Sequence, residues 1–283
     1  MINLFKSQKN LAPKDNEVCF VTTMNPKYFN LYGKNFIDSF DSKANPEIQL
    51  YNIFEAQEVL NYGSERIINK LFRDEKHTQF LKYFSPLYEA NGLRIQFIKN
   101  ENNQTNLVYA NDFRWNAIKF SFKVFAINFC LQFIQNKKIL IWTDADLLCH
   151  TNFDSLDLNN FFPAHNELFS YLGRTSFPPK NPFSECGFIV FNLIHPDFHN
   201  FIQRMIQIYL SGEIFSIQQW HDSWIWDHVR NEFELNGVKF KNLSANYADT
   251  EHPFVKCGLE KYFDHLKGEE RKKNGKSFET DYT

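Results

Sequence analysis

Lys137-Lys138-Ile139-Leu140-Ile141-Trp142-Thr143-Asp144-Ala145-Asp146-Leu147-Leu148 is the stretch on which the fold turns. The apolar run 139–142 suits a strand buried on both faces. It leads at once into two carboxylates spaced Asp-x-Asp. In an open α/β sheet, ligands sit at the carboxyl edge of the strands. Two carboxylates held close together in a partly dry site are costly unless a cation compensates. Oxygen ligands favour a hard divalent ion. A polar turn after a strand explains the tripeptide equally well, so the surrounding chain has to decide.

Upstream, strand and helix signals alternate. Residues 18–23 are β-rich and are followed by Asn25-Pro26 and a helical stretch over 27–39. Strands are expected at 47–54 and 93–98, with a charged-faced helix over 65–83 between them. A long, apolar helix over 112–135 feeds the strand at 139. This βαβα order predicts an α/β fold with a mostly parallel sheet and right-handed crossovers. Downstream, short strands are expected at 169–172 and 188–191, then helices over 195–210 and from about 220 to 233. Residues 1–16 read as a frayed polar tail. No repeat or Gly/Ser linker interrupts 17–283, so one domain is expected, with halves at 17–150 and 151–283.

The 283 residues can bury a sizeable core, with 43% apolar and 23% charged residues. The 32 Phe, against 3 Met and 10 Gly, suggest a nucleotide-composition bias rather than a site signature. A net charge of −2 offers no electrostatic case for nucleic acid as a main ligand. The five cysteines are odd in number and lack C-x-x-C spacing. That argues against a disulfide framework or structural zinc and fits a reducing compartment. No apolar stretch has the length of a signal peptide or a membrane span, so a cytoplasmic protein without a transmembrane segment is expected.

Three further clusters carry chemistry. Ser184-Glu185-Cys186-Gly187 opens an apolar strand ending at Asn192, where a carboxylate beside a Gly suits a sugar or acceptor site. The competing reading has Ser184 capping a turn and Glu185 solvated. Gln219-Trp220-His221-Asp222-Ser223-Trp224 places aromatic bodies beside polar groups, as sugar contacts require, although Asp222 also suits a helix N-cap. Asp264-His265-Leu266-Lys267-Gly268-Glu269-Glu270-Arg271-Lys272 offers a metal ligand and phosphate clamps. A solvated basic tail accounts for it too.

In this order the four clusters resemble the GT-A glycosyltransferases, most closely the glycogenin-like and galactosyltransferase-like enzymes of family eight. The matching positions are Asp144-Ala-Asp146, Glu185-Cys186-Gly187 running to Asn192, Asp222-Ser223, and His265-x-x-Gly268-x-x-Arg271. Together they span about 140 residues. The strand at 18–23, with Thr22 and Thr23, looks like the opening nucleotide strand. Glu185, Ser223 and Arg271 depart from the family's Asn, Gln and Lys, and its final Pro-Trp is replaced by Lys272-Lys273.

The resemblance implies a Rossmann-like nucleotide-sugar fold and metal-dependent transfer of a sugar from a nucleotide donor, a UDP-sugar by family analogy. The acceptor is a hydroxyl on an unidentified glycan, lipid or protein. Asp144, Asp146 and His265 would hold Mn2+ or Mg2+. Thr22, Thr23, Arg114, Lys123, Lys267, Gly268 and Arg271 would meet the nucleotide and its diphosphate. In an inverting enzyme Asp222 or Glu185 would take the acceptor proton, whereas in a retaining enzyme of the family-eight type the departing phosphate would take it. The basic C-terminal cluster leaves a peripheral contact with an anionic membrane open. A catalytically silent nucleotide-sugar or glycan binder on the same scaffold, and an Asp-nucleophile phosphohydrolase, are the competing functions.

Overall fold

The computed structural model describes residues 12–99, 101, 103–174, 183–244, 254, 257–266 and 268–274. Its centre is a seven-stranded sheet in the order β10-β8-β9-β6-β1-β2-β3. These strands are β1 (Val18–Met24), β2 (Gln49–Phe54), β3 (Ile67–Leu71), β6 (Ile139–Thr143), β8 (Glu167–Leu172), β9 (Glu185–Asn192) and β10 (Lys239–Asn242). All neighbours run parallel except β9, which is antiparallel to β6 and to β8. The expected mostly parallel α/β sheet is therefore present.

Strand alternation divides the core. Cys19, Val21, Leu140 and Trp142 face a layer containing α3 (Glu75–Phe84), α4 (Ala117–Cys130), α5 (Phe198–Leu210) and α6 (Asp222–Leu235). Val18, Phe20, Ile139 and Ile141 face Phe36, Ile37 and Phe40 of α2 (Lys34–Lys43). A short helical turn, α1 (Pro26–Tyr28), and a π-turn over Phe29–Gly33 precede α2. Each fully buried Phe contributes roughly 1.5–3 kcal/mol of transfer free energy, and α4 supplies Phe125 to this core.

Several expected elements are corrected. The span 65–83 is not one helix: Ile67–Leu71 is a strand, and the helix begins only where Asp74 accepts the His77 N–H at 2.8 Å. Paired β-branched residues favour an edge strand beside β2, and Asn52 Nδ2 donates to Asn69 Oδ1 at 2.8 Å across it. The strand near residue 93, β4 (Leu93–Lys99), does not join the central sheet. It forms a separate antiparallel hairpin with β5 (Thr105–Asn111). The long helix starts at Ala117 rather than 112, because Asn116 caps it by accepting the Lys119 N–H at 2.8 Å. The N-terminal region is ordered from within the expected tail: Asp15–Glu17 is a 3-10 turn, and Asp15 accepts the Ser155 N–H at 2.6 Å.

One small pairing positions the site. β7 (Leu147–Cys149) follows the Asp-x-Asp turn and pairs antiparallel with β11 (Phe263–His265), with His265 opposite Leu147. The Leu266 N–H then donates to the Asp146 carbonyl at 3.0 Å. A C-terminal helix, α7 (Glu269–Asn274), follows directly.

Candidate active site

A cleft of roughly 520 Å³ opens at the carboxyl ends of β1, β2 and β6. Its wall includes Thr23, Glu55, Lys123, Asp144, Asp222 and Lys272. Asp144 leaves β6 with its N–H donating to the Gly187 carbonyl at 3.0 Å, while Trp142 Nε1 donates to Asp144 Oδ1 at 3.0 Å. Those two bonds orient the first carboxylate toward the cleft. The second, Asp146, is buried and lies 3.3 Å from His265 Nε2 and 2.7 Å from Lys272 Nζ.

Asp144, Asp146 and His265 each present one ligand atom, and these atoms all lie within 4.8 Å of one another. Two carboxylate oxygens and an imidazole nitrogen are a donor set that a divalent cation accepts. Gly187 makes the imidazole's position available: a Cβ there would stand 2.6 Å from His265 Cε1. The Gly on β9, expected from sequence to suit a sugar or acceptor site, admits the imidazole. The three residues fit a metal.

The cations are placed with equal care. Lys123, buried on α4, bonds the Cys186 carbonyl at 2.8 Å and reaches Asp144 at 3.0 Å and Asp222 at 2.5 Å. Burial disfavours its charge, but the two carboxylates outweigh burial and hold the ammonium above its ordinary range. Asp222 is the mirror case. Burial works against its charge, and Lys123 nonetheless keeps its carboxyl below the usual range. Asp146 is also held low despite burial, by His265 and then Lys272. For Asp144 burial prevails and the carboxyl is raised, with Lys123 opposing.

Across the cleft, burial pushes the Glu55 carboxyl up to about 7, against a 2.8 Å hydrogen bond from Thr23 Oγ1. Thr23 Oγ1 also lies 2.7 Å from the Ile53 carbonyl.

Not every expected residue reaches the cleft. Thr22 is fully buried in β1 and absent from the wall, since alternation turns it away from Thr23's side. Arg114 is 51% exposed and ion-paired with Asp112 at 2.5 Å, in a 3-10 turn ahead of α4 rather than on it. Glu185 is neither solvated nor in the wall. One oxygen accepts the Gly187 N–H at 3.2 Å and the other lies 3.4 Å from Arg174. Ser184 caps no turn of its own; its hydroxyl donates to Asp227 at 2.6 Å.

Trp220 belongs to the core. Its Nε1 donates to the Ile217 carbonyl at 3.1 Å, and its ring meets Trp115 edge-on. His221, not Asp222, is the N-cap of α6. Gly268 turns the chain into α7 at φ +87°, with open space where a Cβ would stand. Arg271 is half-buried on α7, and Lys267 lies outside the described residues.

Sequence reasoning missed Glu55 and did not single out Lys272 within the cationic cluster it named. Lys272 stands two residues beyond Glu270 in a basic run with nothing local to single it out. Glu55 had a signal, a carboxylate directly after a buried strand, the same placement that drew attention to Asp144.

No family model matches this chain, and no curated protein matches it in sequence. Among solved structures it is similar to mouse xyloside xylosyltransferase 1, at 13% identity and a TM-score of 0.42, covering 81% of this chain and 86% of that one. It is also similar to a glycosyltransferase involved in glycosylation of the major capsid of PBCV-1. There the identity is 10% and the TM-score 0.47, over 91% and 97% of the two chains. A third likeness is to the glycosyltransferase GlyE of Streptococcus pneumoniae TIGR4, at 13% identity and a TM-score of 0.39, over 78% and 44%.

Proposed function

We propose that this chain is a GT-A-type glycosyltransferase that moves a sugar from a nucleoside diphosphate sugar to an acceptor hydroxyl. The convergence of Asp144, Asp146 and His265 at the carboxyl edge of the sheet, with Lys123 and Lys272 beside them, carries this reading. These three would hold Mn2+ or Mg2+, and the mixed oxygen and nitrogen set suits Mn2+ better. The bound ion would supply positive charge to the leaving diphosphate. A uridine nucleotide is the donor expected from the sequence resemblance.

The chain's own groups have distinct tasks. Lys272 donates to the diphosphate as its bond to the anomeric carbon lengthens, adding charge stabilisation where negative charge develops. Asp222, kept ionised by Lys123 and lining the cleft, accepts a hydrogen bond from a sugar or acceptor hydroxyl and fixes its direction. Glu185 acts from beneath: it holds the Gly187 backbone against which His265 rests. It is a positioning residue.

Purified protein with Mn2+ and a panel of nucleotide sugars tests this, with released nucleoside diphosphate as the readout and Asp146→Ala alongside. Turnover with one donor that disappears in the variant is the expected result. Absence of both turnover and metal-dependent nucleotide binding would overturn the proposal. Binding without turnover would favour a silent binder.

A further inference from the structure

The β4–β5 hairpin stands apart from the central sheet, and its two faces differ. On one face Arg94 lies over the rings of Trp115 and Trp220, 4.1 and 4.5 Å from their centroids. That stacking ties the hairpin to the body beside the cleft. On the other face Ile95 pairs with Tyr109 and Phe97 with Leu107. These four side chains are exposed by 53%, 66%, 73% and 54% respectively.

Directly opposed residues of an antiparallel pair share a face, as do residues i and i+2. The four therefore form one contiguous apolar patch. Aromatic side chains offer roughly 150–250 Å² each and the aliphatic ones somewhat less, so the patch presents about 500 Å². That is at the upper range of what monomeric proteins leave exposed.

We propose that this face is the interface of a homodimer, its occupant the same face of a second copy. Two arguments select the second copy. The first is area. Two such patches bury about 1,000 Å² together, the area from which a contact of good complementarity qualifies as a specific interface.

The second is the pattern of side chains. The aromatics, Phe97 and Tyr109, occupy one diagonal, and Ile95 and Leu107 occupy the other. A two-fold axis in the plane of the patch, along or across the strands, sets every aromatic ring over an aliphatic side chain of the partner copy. An isologous contact requires this self-complementarity. The Arg94 stack seats the hairpin on Trp115 and Trp220 within a single copy, before any association.

Sedimentation equilibrium from about 1 to 100 μM tests the proposal on the full chain. Wild type is expected at twice the chain mass. Phe97→Glu and Tyr109→Glu are each expected to weaken association at least tenfold. Both positions are exposed, so far-UV circular dichroism and Mn2+ binding should stay unchanged. A wild-type protein that remains monomeric at the top concentration would overturn the proposal, as would a dimer that both variants leave intact. Sedimentation of a monomer with anionic phospholipid vesicles, lost in Phe97→Glu, would reassign the face to a lipid surface and overturn it equally.

Discussion

The imidazole of His265 rests where a side chain on residue 187 would stand, with 2.6 Å separating a Cβ built on Gly187 from His265 Cε1. A backbone hydrogen atom on β9 thus determines whether a residue from the far C-terminal segment can reach the Asp-x-Asp turn.

Gly187→Ala should accordingly displace the His265 ring and weaken Mn2+ binding by roughly 10- to 100-fold, the range seen when support for a metal ligand is lost. Isothermal titration with Mn2+ checks this, with circular dichroism to confirm that the fold persists. Unchanged affinity would show that His265 does not contribute to the metal set.

Lys272 bridges to Asp146 at 2.7 Å from within α7, the helix that carries the basic run. Lys272→Ala should lower nucleoside diphosphate affinity by about tenfold at constant Mn2+, close to the roughly 1.5 kcal/mol of one charge-assisted hydrogen bond. Mn2+ affinity in the absence of nucleotide should hold or rise, since a competing cation beside Asp146 is gone. A fall in both affinities would place Lys272 in support of the metal ligands instead.

Lys123 is the buried cation between Asp144 and Asp222. Lys123→Met leaves two carboxylates without their partner, a loss expected to cost about 3–5 kcal/mol. Urea denaturation measures it. Adding Asp222→Asn should recover part of that loss, because one of the stranded charges is then removed. If the double variant is no more stable than the single, the ion pairs are not what holds this region.

His77 provides the pH dependence. It is buried among aromatic rings with Nε2 2.8 Å from Ser121 Oγ, and burial lowers its pKa to about 3. The unfolded chain protonates this His near pH 6.5, whereas the folded chain does not until near 3. The unfolded state therefore binds more protons across that window, and stability falls as pH falls. Between pH 7 and 5 the wild type should lose about 2 kcal/mol more than His77→Gln. Urea midpoints at the two pH values decide this, and equal losses would exclude His77 as the source.

The parts legible in the sequence share one property: their signal is local. β6 is an unbroken apolar run because both its faces are covered, and Asp144 and Asp146 follow it without a gap. β1, β9 and α5 carry equally local patterns of burial. The span 65–83 was misread because helix and strand periodicities are close over a short, half-buried edge. Only the β2 backbone, supplying hydrogen bonds from one side, makes Ile67–Leu71 a strand.

An α/β chain with two carboxylates at the end of a buried strand is readable from the residues alone, because strand burial and turn polarity are written in consecutive positions. The tertiary structure alone decided which distant groups meet them. Pairing of β7 with β11 delivers His265, α7 delivers Lys272, and α4 delivers Lys123. It also left Thr22, Arg114 and Trp220 out of the cleft wall: Thr22 and Trp220 are buried, and Arg114 pairs with Asp112. The physical reason is that proximity between segments depends on how the layers pack and on where backbone pairing closes, and neither quantity is carried by residues adjacent in the chain.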